Sequence, residues 1–86
     1  MESAVFMSDI SELQRVRQRI LARYHSDPHV CVSLPRSKPE LKAARAEITG
    51  VYAHIFQIET DVDGQTQQHS LQYADILLGS AQIAGL

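Results

Sequence analysis

A chain of 86 residues folds as one domain and buries only about two thirds of its unfolded surface, so its core has to be compact. A formal net charge of -2 argues against a strongly basic nucleic-acid binder, and no apolar stretch approaches the roughly 20 residues that span a bilayer. The single Cys31 excludes an internal disulfide and, with no secretory or lipoprotein signal opening the chain, points to a reducing cytoplasm.

Residues 1–8 carry no periodicity and are expected to form a flexible lead-in, leaving residues 9–86 as a single helix-plus-barrel domain. A helix is predicted from Asp9 to Tyr24, because Asp9 and Glu12 stand at N-cap and N3 spacing. Ile10, Leu13, Val16, Ile20, Leu21 and Tyr24 then recur on one stripe, while Arg15, Arg19 and Arg23 step along the opposite, solvated face. Arg17 falls inside the apolar stripe. Its methylene stem is expected to lie on the barrel while the guanidinium reaches an edge or a carboxylate; the sharper alternative is a pair across a subunit interface. Ser26-Asp27-Pro28 ends the helix, since proline cannot continue it and pushes Asp27 towards extended backbone.

Five strands are predicted to follow. His29–Leu34 places Val30, Val32 and Leu34 on one side, and Leu34-Pro35-Arg36-Ser37-Lys38-Pro39 is a basic, proline-stiffened loop of the kind that carries recognition. In the second strand, Lys42 to Tyr52, the apolar Ala46 and Ile48 alternate with Glu47 and Thr49, and Gly50 suits a bulge. Tyr52-Ala53-His54 turns the chain into the third strand, Ile55 to Thr60, where Phe56 and Ile58 keep the two-residue period. Asp63-Gly64 offers the positive φ that a tight hairpin requires, and Gln65 to Tyr73 returns as the fourth strand. One helical turn over Ala74 to Leu78 and a closing strand over Ser80 to Ala84 complete the layout. This mainly β arrangement with one N-terminal α-helix is that of an SH3-like or Sm-like small five-stranded barrel, with an open sheet carrying the helix on one face as the alternative.

Catalytic and metal signatures are weak. His25-x3-His29-x-Cys31 collects ligand types but lacks a Cys-x2-Cys pair, and Asp61-x-Asp63-Gly64 lacks the later ligands of a calcium loop. No nucleophile elbow, phosphate-cradling glycine loop or dinucleotide fingerprint occurs. Asp75 with His69 or His54 reads as a surface contact rather than acid–base machinery, and Cys31, between two valines, reads as an inert core or sub-surface thiol. The chain is therefore expected not to be an enzyme and to need neither cofactor nor metal.

Charge is polarised along the chain. All eight Lys and Arg lie between Arg15 and Arg45, against Asp27 and Glu40 alone, a local net of +6; the flanks before and after carry -3 and -5. Arg15, Arg19, Arg23, Arg36, Lys38, Lys42 and Arg45 are thus the candidate residues for binding a protein partner or, alternatively, the RNA or DNA backbone. Of the aromatic candidates Tyr24, Tyr52, Phe56 and Tyr73, the first and third fall in core registers, which leaves Tyr52 and Tyr73, too few for a base-stacking platform. Membrane association is not expected. Exposed strand edges leave a homodimer open.

Gly50, Tyr52 and Phe56, followed by Tyr73, Asp75, Ile76 and Leu77, resemble the Veg family of small Bacillota proteins: a glycine, a tyrosine-containing turn, an apolar strand around a phenylalanine, and a later Ser-Tyr-x-Asp-Ile/Val-Leu segment. The leading helix matches in placement. Two departures stand out. The family's Tyr-Pro is Tyr52-Ala53 here, and its glycine- and arginine-rich basic segment is replaced by Pro35-Arg36-Ser37-Lys38-Pro39. The resemblance implies a helix followed by an SH3-like barrel, no enzymatic activity, and stimulation of biofilm formation by contact with a transcriptional repressor of matrix genes.

Overall fold

A computed structural model describes residues 2–38 and 40–86, with side chains from residue 12 onward; the side chain of Ile10, and Pro39 altogether, lie outside the described residues. Helix α1 spans Glu2–Ser26, followed by β1 (His29–Leu34), β2 (Leu41–Val51), β3 (Ile55–Val62), β4 (Gln65–Gln72), α2 (Tyr73–Leu78) and β5 (Gln82–Ala84). The helix thus begins at Glu2, not Asp9, and the residues expected as a lead-in belong to it from Glu2 on. Nothing between Met1 and Pro28 is a glycine or proline, so no residue in that stretch breaks a helix. Asp9 consequently sits within α1, where it cannot adopt the extended backbone an N-cap needs, and the predicted Asp9–Glu12 capping pair does not form a helix start.

The C-terminal end of α1 lies where proline chemistry puts it. Asp27 N–H closes a last turn on the Arg23 carbonyl at 2.9 Å. The Asp27 carboxylate then accepts the His29 N–H at 3.2 Å and faces His29 Nδ1 at 3.1 Å, a local turn that launches β1. These bonds from His29 hold the Asp27 carboxyl below its ordinary value. Pro28 lends its carbonyl to the Ile48 N–H at 2.9 Å, so β1 and β2 are stitched from the first residue.

The five strands form one antiparallel sheet in the order β4-β3-β2-β1-β5, open along β4 and β5. Alternation, interrupted at two bulges in β2, sorts its faces. Val30, Val32, Leu34, Leu41, Ala46, Ile48, Phe56 and Ile58 are buried on the inner face beneath α1, joined by Val16 and Ile20 of the helix and by Tyr73 and Ala81. Thr60 continues this row fully buried; its hydroxyl lies 3.2 Å from His69 Nε2 and donates to the Gln67 carbonyl at 3.4 Å, which meets the requirement that a buried hydroxyl be partnered.

Two bulges shape β2. Register shifts between Ile48 and Gly50, as expected of the glycine. A second shift, opposite Val32–Leu34, was not signalled by any glycine: Ala43 takes φ +48 there and donates its N–H to Ser33 Oγ at 2.9 Å. At the β3–β4 hairpin Asp63 and Gly64 have φ +54 and +78, the mirror-image two-residue turn that matches strand twist, with Val62 opposite Gln65.

Cys31 is exposed on the outer face, which corrects the expectation of a core or sub-surface thiol: the buried positions of β1 are its even-numbered valines, and Cys31 has the other parity. It shares that face with His29, Arg45, Glu47 and Glu59. Glu47 and Glu59 are direct cross-strand neighbours, with His29 Nε2 3.5 Å from the Glu47 carboxylate. Like charges directly opposite destabilise a sheet, so Glu59→Gln should raise stability by about 0.2–1 kcal/mol, a gain that shrinks in salt. Equilibrium urea unfolding at low and high ionic strength would measure it; an unchanged or lowered midpoint would contradict the pairing.

Candidate functional site

The residues singled out for their motif converge where α1, the β2–β3 turn and α2 meet. Tyr52 N–H bonds the Ile55 carbonyl at 2.9 Å and closes the turn. The Tyr52 ring folds back over Gly50: a Cβ at position 50 would lie 2.7–2.9 Å from the ring and its oxygen, so only glycine leaves room for the ring in this position. Tyr73, at the start of α2, is buried with its ring stacked on Phe56 at a centroid distance of 5.5 Å. It is a core residue, not the exposed aromatic that the sequence left available for base stacking.

The Tyr73 hydroxyl shares its proton between the carbonyls of Tyr52, at 2.5 Å, and Ile55, at 3.0 Å. Arg17 Nε donates to the same Tyr52 carbonyl at 3.2 Å. The arginine in the apolar stripe therefore reaches a backbone carbonyl of the turn, rather than a carboxylate, and ties the helix to the sheet. Asp75 completes the local order. Its carboxylate accepts the Gln72 N–H at 2.9 Å in a reciprocal cap that starts α2, so it is a capping group with no pairing to His54 or His69. Ile76 packs against the core, whereas Leu77 is about half exposed and makes no part of it. Leu13, Gln14, His54 and Gln72, none of them marked as site residues from sequence, join Arg17, Ile55 and Tyr73 around a 470 Å³ cleft over this junction. The sequence signals for it were the anomalous placement of Arg17 and the motif residue Tyr73.

Burial pushes the Tyr73 phenol above its ordinary value of 10, with the nearby Arg17 charge and the bond to Tyr52 opposing. A raised phenol means that the unfolded chain loses its proton first, so stability declines as pH climbs through 10 towards the folded value. Tyr73→Phe should cost about 0.5–1.5 kcal/mol, the net worth of the lost hydroxyl bond, because Arg17 Nε still serves the Tyr52 carbonyl and the Tyr52 N–H still serves that of Ile55, and should flatten that alkaline decline. Urea titrations from neutral to alkaline pH read both effects; equal slopes for the two proteins would show that the phenol does not carry the dependence.

The seven basic candidates do not form one continuous patch. Arg23 turns in to donate to the His29 carbonyl at 2.7 Å, with its Nε buried, and Lys42 lies 3.9 Å from Glu40. Arg45 stands on the outer face of β2, where it shares one cleft with Arg23, His29 and Cys31 and another with Glu47, Glu59 and Asp61. Arg15 and Arg19 on α1, and Arg36 and Lys38 on the β1–β2 turn, remain exposed and make no ion pair among the described residues. That turn is held by Ser37, whose N–H and hydroxyl both reach the Leu34 carbonyl, at 3.2 and 2.9 Å.

Neither a protein-family model nor a curated protein sequence matches this chain. Among the described residues no group of three or more His, Cys, Asp or Glu could hold a metal ion, and His25 instead lies against the Tyr24 ring at 5.4 Å. No described helix is long and apolar enough to cross a membrane.

Proposed function

We propose that this chain is a non-enzymatic regulatory module of the Veg type, acting in the cytoplasm through contact with an acidic face of a protein partner, a transcriptional repressor of biofilm-matrix genes. The observation that carries this reading is the set of four exposed cations, Arg15, Arg19, Arg36 and Lys38, that make no ion pair among the described residues, in a protein whose net charge is negative. Cations left without partners on a rigid helix and a bonded turn are available to a binding partner at little ordering cost. The strand order β5-β1-β2-β3-β4, with a short helix ahead of β5, also fits an SH3-like barrel opened between its edge strands.

A protein partner is favoured over nucleic acid because the exposed cations are divided between a helix and a turn and do not form the continuous basic track that a phosphate backbone follows. The stacking surface is also small: Tyr73 is buried and Tyr52 lies over Gly50.

The test is a matrix-gene reporter in cells lacking the protein, complemented with wild type or with Arg15→Glu, Arg19→Glu, Arg36→Glu and Lys38→Glu combined. Wild type should restore expression and the charge-reversed protein, verified as folded by circular dichroism, should not. Equal restoration by both would remove the cationic surface from the function. Retardation of RNA or DNA in a gel at low salt, abolished steeply as salt rises, would replace the protein-contact reading with nucleic-acid binding.

A further inference from the structure

We infer that β4 is a self-pairing edge, through which two copies of this chain join antiparallel about a two-fold axis and fuse their sheets into one. The strand is the outermost of its sheet and pairs only with β3 among the described residues. Its register with β3 runs without a shift from Ile55 opposite Gln72 to Val62 opposite Gln65, so no bulge twists it away. An edge of this kind presents a row of backbone donors and acceptors to solvent and is a template for another strand.

Proteins normally blunt such an edge with lysine, proline, an inward charge, a bulge or a very short strand. The opposite edge uses the last device, since β5 is three residues long and is followed by Gly85 at φ +82. β4 uses none of them. Its sequence, Gln-Thr-Gln-Gln-His-Ser-Leu-Gln, contains no Lys, Arg, Asp, Glu or Pro, in a chain where 21% of residues are charged.

Symmetry selects the occupant. A two-fold axis perpendicular to the sheet reverses the strand but keeps its faces, so the outer row Thr66, Gln68, Ser70 and Gln72 opposes a copy of itself. A charged residue in that row close to the axis would lie near its own copy, like charge against like. A row that is entirely neutral, with amides and hydroxyls able both to donate and to accept, meets its own copy without repulsion. A foreign strand imposes no such condition and would admit complementary charges. All four outer-row residues are exposed, so substitutions there leave the core untouched.

Analytical ultracentrifugation of the full chain over a wide concentration range tests the proposal. Wild type should sediment as a monomer–dimer equilibrium. Gln68→Lys combined with Ser70→Lys, folded by circular dichroism, should dimerise about tenfold more weakly or not at all. Mixing that variant with Gln68→Glu combined with Ser70→Glu should restore a dimer containing one of each, because opposite charges then face one another. A wild type that stays monomeric throughout would overturn the proposal. So would a lysine variant that dimerises as tightly as wild type, or a charge-swapped mixture that fails to pair.

Discussion

Phe56→Ala is expected to lower the unfolding free energy by about 3–5 kcal/mol, the cost of removing a buried aromatic ring and leaving a cavity. Phe56 has no exposed surface, stacks on Tyr73 and lies in the inner row between Ile58 and the β2–β3 turn. Its loss removes the surface against which Tyr73 is held, and Tyr73 in turn anchors the Tyr52 and Ile55 carbonyls. The damage should therefore spread to the turn and to the start of α2. Small domains are stable by about 5–15 kcal/mol, so the variant should unfold at much lower urea or be partly unfolded without it. Phe56→Leu, which keeps most of the volume, should recover much of the loss. A near-neutral alanine variant in urea would mean that the inner face is not the core.

Ile20→Ala should cost about 2–5 kcal/mol for a different reason. Ile20 is fully buried between α1 and the sheet, next to Val16, and it is the deepest point at which the helix enters the core. An isolated helix is marginal in water, so α1 owes its stability to the face it buries. Loss of that anchor should lower the helix and sheet transitions together, seen as a single shifted transition by far-UV circular dichroism and by tyrosine fluorescence. Leu13→Ala, at a side chain 38% exposed on the rim of the cleft, should cost much less. Equal effects at the two positions, or a helix that melts separately from the sheet, would contradict docking through Ile20.

The alternating rows of β1 to β3 predicted from periodicity are the buried ones, and of the stripe predicted on α1 Val16 and Ile20 are buried and Tyr24 packs against them, whereas Leu13 is exposed. Both follow from spacing that backbone geometry imposes on any helix or strand. The Asp63-Gly64 hairpin and the break at Pro28 are local as well, because each depends on the φ its own residues can adopt. The helix start was missed since Asp9 and Glu12 carry a capping signature that a longer run of helix-compatible residues overrides. The bulge at Ala43 was missed because its stabilising partner, Ser33, lies ten positions away on another strand. Tyr73 could not be placed from its neighbours, since its burial depends on Phe56 and its hydroxyl partners lie on the far side of the β3–β4 hairpin.

The fate of the basic residues followed the same division. Arg15 through Arg45 are clustered in sequence, but clustering along a chain does not determine direction in space. Arg23 is spent on a backbone carbonyl, Arg17 on another, and Arg45 faces the acidic side of the sheet. By itself the sequence determined the helix face, the strands and the turns, because those depend on residues within a few positions of one another. The tertiary structure alone decided which cations stay free, where Tyr73 is held and which edge lies open, because hydrogen bonds and strand pairings between distant segments settle these.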